Sequence, residues 1–269
     1  MSVGFIKTLK CLVLDMDGTI YLGNEPIGDM AGTLAYLRER GIRLCYFTNN
    51  SSKNAEDYVA KLTRLGLYDA RDTVYTSAMA TISYLSAHHP GKRVFLLSTP
   101  TVRKTFIEGG IPLTDETGEG ADIVVLAYDT TLTFERLRVA NELLVRGALY
   151  IATHPDFVCP TEDISMPDVG SFIKLLEASS GRVPDLVIGK PNALAGEAIL
   201  RAVGTTAEET AMAGDRLYTD VRFGINAGFH SILVLSGETT AEMAEKSDVH
   251  PELILPSLHT LREMLEAEH

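Results

Sequence analysis

The sequence predicts an α/β fold with a doubly wound parallel sheet. Short apolar runs, such as residues 10–14 and 42–47, alternate along the chain with stretches in which apolar residues recur at helical spacing. Several of these apolar runs end in Asp, Asn or Thr. Strands that alternate with helices usually form a parallel sheet, so we expect the polar residues at the strand ends to meet at one edge.

The predicted elements follow this alternating order. The strand at 10–14 is followed by a helix that begins near Asp29, a suitable N-cap, and ends at Gly41. The strand at 42–47 precedes a second helix, whose apolar face includes Val59 and Leu62. The strands between 94 and 153 are expected to form a second, smaller sheet. Further strands are predicted at 94–97, 123–127, 149–153, 186–188, 210–213 and 231–235. Further helices are predicted at 101–108, 134–145, 192–203 and 257–265.

Composition restricts the class of protein. The chain has 269 residues, of which 45% are hydrophobic, enough for one large or two modest domains. Acidic residues number 36 against 24 basic ones, and no Lys- or Arg-rich block interrupts the chain. A formal charge of -12 does not favour binding to a polyanion, so we expect no nucleic-acid partner.

The cysteines and the apolar segments indicate a compartment. Cys11, Cys45 and Cys159 are odd in number and widely spaced, a pattern that fits reduced thiols better than disulfides or a zinc site. The N-terminus has no signal-peptide pattern, and no apolar stretch reaches the ~18 residues that a membrane span requires. We therefore expect a cytoplasmic protein without a membrane partner.

Three aspartates follow predicted strands. Asp15 and Asp17 lie in the segment DMDGT after the first strand, and Asp215 follows the strand at 210–213 after one glycine. An Asp-x-Asp-Gly segment is by itself also typical of an ordinary surface turn. Carboxylates at one edge of a sheet repel one another and raise each other's pKa unless a cation offsets the repulsion. Because oxygen ligands suit hard cations, these aspartates predict a magnesium site.

Two other polar motifs suit a bound phosphoryl group. Thr48 and Asn49 follow the second strand just before a helix, where a hydroxyl and a backbone N–H can bind an anion. Lys190 lies in the segment Gly-Lys-Pro between a strand and a helix and can neutralise a phosphoryl oxygen. Each motif alone is also typical of an ordinary polar loop or turn. Their combination with the aspartates, each at a strand end, indicates a phosphoryl site.

Five segments of the chain carry a specific family resemblance: DMDGTIYLGNEPI, FTNNSSKN, VIGKPN, AGDRLYTD and FGINAGFHSILVLSGET. They closely resemble the haloacid dehalogenase (HAD) superfamily, and within it the subfamily IIA phosphatases, the NagD-like or p-nitrophenylphosphatase-like group. The resemblance spans essentially the whole chain, with no departure at a catalytic position. It implies a Rossmann-like core, residues 1–77 and 186–269, and an inserted α/β cap domain, residues 78–185, that closes over the site and selects the substrate.

The resemblance also implies catalytic roles. Asp15 is implied as the nucleophile and a metal ligand. Asp17 is implied as the general acid that protonates the leaving alcohol and then as the base that activates water. One residue fits both tasks, because the group that donates a proton in the first step must accept one in the second. The implied Mg²⁺ ligands are the carboxylates of Asp15 and Asp215 and the backbone carbonyl of Asp17.

Other motif residues are implied to bind or orient. Thr48, Asn49 and Lys190 would hold the transferring phosphoryl group, and Lys190 would also keep the nucleophile ionised. Asp220 would orient Lys190 or a metal-bound water, and Asn50 is a supporting residue.

The cap offers further candidates to face the site, the loop 153–157 and the stretch 161–165. For His154, within the first of these, we expect ordinary loop packing or solvation, because one histidine without a visible partner specifies no role. For Asp129 we expect a turn that approaches a helix, without a catalytic role.

The implied activity is Mg²⁺-dependent hydrolysis of small phosphorylated metabolites, phosphomonoesters such as sugar phosphates or nucleotides and p-nitrophenyl phosphate, through an aspartyl-phosphate on Asp15. Alternatives on the same scaffold are phosphoryl transfer to an acceptor, phosphonate cleavage, dehalogenation, and a regulatory protein that binds phosphometabolites without turnover. Asp17 argues against dehalogenation, which needs no acid for an alcohol leaving group. The resemblance also leads us to expect a homodimer through the cap.

Overall fold

The computed structural model of the chain describes residues 4–160 and 164–267. Within these ranges strands and helices alternate along most of the chain. The strands are β1 Cys11–Leu14, β2 Tyr21–Leu22, β3 Glu25–Pro26, β4 Arg43–Thr48, β5 Thr73–Thr76, β6 Val94–Leu97, β7 Ile123–Leu126, β8 Leu149–Ala152, β9 Val158–Cys159, β10 Met166–Pro167, β11 Leu186–Val187, β12 Thr210–Gly214, β13 His230–Val234 and β14 Leu253–Leu255. The helices are α1 Met30–Glu39, α2 Ala55–Arg64, α3 Ser77–His88, α4 Pro100–Glu108, α5 Phe134–Val145, α6 Val169–Ser180, α7 Leu194–Val203, α8 Arg222–Asn226, α9 Ala241–Lys246 and α10 Leu258–Glu266.

The larger sheet has six strands in the order β14-β13-β12-β1-β4-β5. The central strand β1 pairs in parallel with both β12 and β4, and β12, β13 and β14 continue the parallel pairing. Chain order therefore reverses direction between β1 and β12, which is the topological switch point of a doubly wound sheet. Ligands of such folds bind outside the carboxyl ends of the strands at this point. The predicted fold class is confirmed.

The smaller sheet has four strands in the order β11-β8-β7-β6, and each neighbouring pair is parallel. The predicted second sheet is therefore present, with β11 added at its edge. Helices α5 and α6 pack on each other, and α5 also packs on β6 and β7. The strands read as nearly continuous apolar runs because both faces of a parallel sheet are covered. The core of this sheet includes Phe95, Leu97, Val124, Leu126 and Tyr150.

The contacts divide the chain into two compact units. The first unit contains the described residues up to Thr48, then Glu56–Tyr75 and the described residues from Lys190 onward. The second unit contains Asn49–Ala55 and, among its described residues, Thr76–Gly189. Strand β11 therefore lies in the second unit, whereas the sequence placed residues 186–188 with the core. The short segment 49–55 is a part of the second unit that no sequence pattern indicated.

Local sequence signals account for several helix ends. Asp29 caps α1, where its Oδ1 atom accepts a hydrogen bond from the Gly32 N–H at 3.1 Å, and Gly41 follows the helix with a positive φ of 79°. The second predicted helix, with Val59 and Leu62 on its apolar face, is confirmed as α2, which begins at Ala55 after a polar segment. The side chain of Asn50 accepts hydrogen bonds from the Ser52 N–H and hydroxyl, at 3.0 and 2.7 Å, and such local bonds compete with a helix.

Cys11 and Cys45 are buried, Cys159 is half-buried, and all three are free thiols, as expected. No helix in the ranges 4–160 and 164–267 is long and apolar enough to cross a bilayer.

Candidate active site

Three carboxylates meet at the switch point of the six-stranded sheet. Asp15 follows β1, and its N–H donates to the Ala213 carbonyl of β12 at 2.9 Å. Asp215 follows β12, and Asp220 lies five residues further on. Each of the three offers a carboxylate oxygen, and these atoms all lie within 4.8 Å of one another. Two predicted metal ligands, Asp15 and Asp215, are thus brought together, with Asp220 as a third acidic neighbour.

The carboxylate of Asp215 suits a cation. Its Oδ2 atom accepts a hydrogen bond from the Glu238 N–H at 2.7 Å, whereas its buried Oδ1 atom has no hydrogen-bond partner among the described residues. Burial and the neighbouring Asp15 carboxylate raise the pKa of Asp215 to about 6. A buried carboxylate oxygen without a donor is costly, and a divalent cation is a partner that removes this cost. The residues present therefore fit the divalent metal that the sequence predicts.

A glycine lets the backbone approach this carboxylate. Gly18 has a φ of 85°, and a Cβ atom added there would collide with the Asp215 carboxyl group. Both the left-handed conformation and the lack of a side chain are therefore required at this position. Gly237 crowds the same carboxyl group from the segment after β13. The Gly in DMDGT thus has a steric reason that is independent of turn formation.

Lys190 joins two of the carboxylates. Its ammonium group lies 2.6 Å from Asp15 Oδ1 and 2.7 Å from Asp220 Oδ1, and it also donates to the Phe47 carbonyl at 3.2 Å. Burial opposes the charged form of Lys190, but Asp15 and Asp220 raise its pKa above the ordinary value. Lys190 is thus a cation beside Asp15, and its role at the nucleophile stays a prediction.

Asp220 lies in a π-helical turn, Leu217–Val221. Its Oδ1 atom accepts from Lys190, and its Oδ2 atom accepts from the Arg216 N–H at 3.1 Å. Burial, together with Asp15 and Asp215, raises the pKa of Asp220 to about 7 against the opposing effect of Lys190. Irregular helical turns of this kind are frequent at functional sites. The contact with Lys190 agrees with the orienting role expected for Asp220.

Asp17 is exposed, unlike its neighbours in the site. Its Oδ1 atom accepts a hydrogen bond from the Gly23 N–H at 3.3 Å, in the turn between β2 and β3. Its carboxylate is not part of the acidic cluster found among the described residues. An exposed carboxyl group outside the cluster can exchange protons with a substrate or with water.

The predicted phosphoryl-binding residues fall on both sides of the division between the units. Thr48 ends β4 in the first unit, and Asn49 begins the segment of the second unit. The Asn49 side-chain amide contacts the carboxylate of Asp156 at 3.2 Å. Asn50 forms the local turn with Ser52. Helix α2 begins at Ala55, so neither Thr48 nor Asn49 lies at its N-terminus.

A buried polar cluster in the second unit was not foreseen. His154 is fully buried, and its Nε2 atom lies 3.0 Å from Asp168 Oδ1. We expected ordinary packing or solvation for this histidine, and the structure shows packing: the ring is buried, and its partner Asp168 lies 14 residues further along the chain. Asp129 forms the expected turn, in which its Oδ1 atom accepts from the Thr131 N–H at 2.9 Å. Of the stretch 161–165, residues 161–163 lie outside the described part of the chain.

The site and fold agree with comparisons to known proteins. A family model described as haloacid dehalogenase-like hydrolase matches residues 12–112, and a second, HAD-hydrolase-like model matches residues 187–261. The chain belongs to the haloacid dehalogenase-like hydrolases. It is 34% identical over 237 residues to the 5'-nucleotidase YutF of Bacillus subtilis, covering 88% of this chain and 91% of the relative. It is 33% identical over 261 residues to an acid sugar phosphatase of Staphylococcus saprophyticus, covering 97% and 100%.

Solved structures give the same result. A 4-nitrophenylphosphatase from Thermotoga maritima is 44% identical with a TM-score of 0.91, covering 96% of this chain and 98% of that one. NagD from E. coli K-12 is 28% identical with a TM-score of 0.84, covering 93% and 97%. A glycerol phosphate phosphatase from Mycobacterium tuberculosis, in complex with calcium, is 29% identical with a TM-score of 0.88, covering 96% and 76%. The predicted superfamily, the NagD-like resemblance and the enzyme class, a phosphoric monoester hydrolase, are confirmed.

Proposed function

We propose that this protein is a magnesium-dependent phosphatase that hydrolyses small phosphomonoesters through an aspartyl-phosphate on Asp15. One observation carries the proposal: Lys190 lies 2.6 Å from Asp15 within a cluster of three carboxylates, one of which has a buried oxygen with no hydrogen-bond donor in the part of the chain that the structure describes. Phosphoryl transfer requires a nucleophilic carboxylate, a neighbouring cation and an oxygen atom that can bind a metal ion.

In the first step, an Asp15 oxygen forms a bond to phosphorus as the bond from phosphorus to the ester oxygen breaks. Asp17 donates a proton to that oxygen, which leaves as the alcohol. In the second step, Asp17 accepts a proton from water, the water oxygen bonds to phosphorus, and the Asp15 carboxylate is regenerated with release of inorganic phosphate. The exposure of Asp17 supports this double role, because the proton must reach both the leaving group and water.

The cation would be held by the carboxylates of Asp15 and Asp215 and by the backbone carbonyl of Asp17. When bound, it supplies positive charge that offsets the charge on the phosphoryl oxygens and on the clustered carboxylates. The oxygen-only ligand set supports a hard cation, and we propose Mg²⁺ because it usually binds through one or two carboxylates together with substrate phosphate.

Thr48, Asn49 and Lys190 bind the transferring phosphoryl group. Asp220 acts as a positioning residue, because it accepts from the Lys190 ammonium group at 2.7 Å. Asn50 supports the site through the turn that it forms with Ser52.

Residues 78–185 are proposed as the cap that selects the substrate. The names of the relatives include a nucleotidase, a sugar phosphatase and a glycerol phosphate phosphatase, which supports a small phosphorylated metabolite as the partner of the site. Cytoplasmic localisation, the homodimer through the cap and the absence of nucleic-acid partners stay predictions from the sequence.

The test is hydrolysis of 4-nitrophenyl phosphate with and without Mg²⁺ by the intact protein and two variants. Asp15→Asn should abolish turnover. Asp17→Asn should still accept the phosphoryl group, because 4-nitrophenolate leaves without a proton, but should hydrolyse the aspartyl-phosphate slowly. After an acid quench, mass spectrometry of the Asp17→Asn protein should find one phosphoryl group on the peptide that contains Asp15.

Asp185→Asn is a matched carboxylate change in the second unit, where Asp185 accepts from the Tyr150 N–H at 2.8 Å. It should leave turnover unchanged. Retained turnover in Asp15→Asn would rule out the covalent mechanism. Phosphate binding by the intact protein without turnover of any phosphomonoester would favour a regulatory binding protein instead.

A further inference from the structure

Segment 49–52 lies at the carboxyl ends of three strands of the four-stranded sheet. The hydroxyl of Thr99, the N–H of Tyr128 and the hydroxyl of Thr153 each bond to this segment, at 2.8, 2.9 and 2.9 Å. The last two contacts are made to Ser51 Oγ. These three residues follow β6, β7 and β8, whose carboxyl ends share an edge because the strands are parallel. The segment therefore occupies the place where folds of this kind usually bind a ligand.

His154 extends this network into the core of the second unit. Its Nδ1 atom lies 3.1 Å from Thr153 Oγ1 and 3.4 Å from Ser51 Oγ, and its Nε2 atom lies 3.0 Å from Asp168 Oδ1. Ser51 and His154 are completely buried, and Asp168 is 3% exposed. A buried polar network of this kind is stable only when its members are satisfied, so it has one preferred arrangement.

Ser51, Thr153 and His154 lie within hydrogen-bond distance of one another, and the Thr153 hydroxyl also reaches the Leu126 carbonyl at 3.3 Å. The Tyr128 N–H donates to Ser51 Oγ, which leaves the Ser51 hydroxyl hydrogen for Thr153 Oγ1 or His154 Nδ1. The two ring nitrogens of His154 have separate partners: Nε2 faces Asp168 Oδ1, and Nδ1 faces the hydroxyls of Thr153 and Ser51. Asp168 also accepts from the Val169 N–H at 2.7 Å, which ties the chain to the start of α6.

Asn49 sits directly beside this chain. A Cβ atom added at Gly189 would lie 2.6 Å from Asn49 Oδ1 and 2.7 Å from the Thr153 carbonyl, so the three groups are in close packing. The carbonyl of Asn49 accepts from the Ser77 hydroxyl. The segment that Ser51 anchors therefore carries the backbone of Asn49, and the side-chain amide of Asn49 also contacts the Asp156 carboxylate at 3.2 Å.

We propose that His154 is a positioning residue for phosphate binding: the buried chain Asp168–His154–Thr153–Ser51 fixes segment 49–52 and thereby holds Asn49 in place. The proposal rests on the phosphoryl-binding role of Asn49 given under the proposed function. His154 itself does not touch the substrate. Its effect passes through Ser51, which bonds to Thr153 and to the Tyr128 N–H and lies two residues after Asn49 in the chain.

Two substitutions distinguish the contributions of the two ring nitrogens of His154. His154→Asn retains a polar atom near the Nδ1 position and loses the bond to Asp168. His154→Gln retains one near the Nε2 position and loses the contact with Thr153 and Ser51. If the chain positions Asn49, then His154→Gln should weaken inorganic phosphate binding and raise KM for 4-nitrophenyl phosphate together by about tenfold, a change of about 1.4 kcal/mol. His154→Asn should change both by a smaller factor.

Ser51→Ala should reproduce the effect of His154→Gln. The double variant should bind inorganic phosphate as tightly as either single variant, because both substitutions break the same chain. Phosphate dissociation constants are measured by calorimetry on the full chain with Mg²⁺, and urea unfolding of each variant is measured alongside. Asp185→Asn, on the same unit, is the control for a loss of stability alone.

The outcomes distinguish the two proposals. Reduced stability with unchanged phosphate affinity and KM would show that His154 is only structural and would overturn the inference. Additive effects in the double variant would also overturn it. Lack of turnover by the intact protein would contradict the proposed function, and the phosphate dissociation constants would still decide the role of His154. Lack of phosphate binding by the intact protein would overturn both.

Discussion

The Nζ atom of Lys190 lies 2.7 Å from the Oδ1 atom of Asp220, and the two residues are 2% and 1% exposed. The second oxygen of Asp220 accepts from the Arg216 N–H, so both oxygens of this carboxylate have donors. A buried ion pair with two fixed ends holds the ammonium group in one direction. That direction is toward Asp15.

We expect Asp220→Asn to lower kcat about 100-fold, because the amide keeps the shape but removes a charge that fixes Lys190, and misplaced catalytic groups cost about this factor. Steady-state hydrolysis of 4-nitrophenyl phosphate measures it. Asp72→Asn is the control, since Asp72 is a buried carboxylate in the same unit whose partner is Arg38 at 2.7 Å. It should lower the free energy of unfolding and leave kcat near the original value. Equal kcat losses in both variants would contradict a specific role for Asp220.

We expect Gly18→Ala to weaken Mg²⁺ binding, because the added Cβ atom would push the Asp215 carboxyl group away. The positive φ of 85° adds a backbone cost of about 1–2 kcal/mol. Gly41→Ala is a matched control, with a φ of 79° and nothing within 4 Å of the added atom. Both variants should lose stability in EDTA through the positive φ, Gly18→Ala more so because of the collision with Asp215, but only Gly18→Ala should lose Mg²⁺ affinity in calorimetry. Equal Mg²⁺ affinities would mean that Asp215 is not a ligand.

Mg²⁺ affinity should rise with pH through about 6, the value to which burial and Asp15 raise the pKa of Asp215. A metal ligand must lose its proton, so protons compete with the cation below this pH. For one competing proton, the apparent affinity falls by up to about tenfold for each pH unit below the pKa. Calorimetric titrations at several pH values from 5 to 8 test this, and a constant affinity over that range would argue against Asp215 as the titrating ligand.

Without metal, the same carboxyl group should make the fold less stable as pH rises. Its pKa is raised from 3.8 to about 6 on folding, so the folded state binds the proton more tightly than the unfolded state does. This stabilisation is complete below the unfolded pKa and is lost as pH rises through the folded one, an effect of about 2–3 kcal/mol.

Urea unfolding of the intact protein and of Asp215→Asn in EDTA, at pH 4 and at pH 8, measures this contribution of Asp215 to the free energy of unfolding. The difference in free energy of unfolding between the two proteins should shift in favour of the variant at the higher pH. If the difference is the same at both pH values, the group does not titrate as described.

Much of the site could be predicted because its residues follow strands. The carboxyl ends of parallel strands share an edge, so Asp15 after β1 and Asp215 after β12 had to meet once the two strands paired. The same argument does not predict the contact between Lys190 and Asp15. Lys190 follows β11, which belongs to the smaller sheet, whereas the aspartates follow strands of the larger one.

Other features depend on contacts that leave no local pattern. His154 and Asp168 are 14 residues apart, on opposite sides of a hairpin, and neither spacing nor hydrophobic periodicity relates them. The sequence of segment 49–55 is typical of an ordinary polar loop before a helix. Its contacts with residues far along the chain, such as Thr99, Tyr128 and Thr153, place it in the second unit. The side chain of Asn50 accepts hydrogen bonds from Ser52 within this segment, before α2 begins at Ala55.

The assignment of Asn49–Ala55 to the second unit limits how this protein can be recombined. A chimera that exchanged residues 78–185 alone would keep Ser51 from one parent and take Tyr128, Thr153 and His154 from the other. The contacts of Ser51 would then be made to residues of a different protein, and segment 49–52 could lose the hydrogen bonds that position it. If residues 78–185 select the substrate as proposed, an exchange of specificity between relatives would require that residues 49–55 be exchanged together with them.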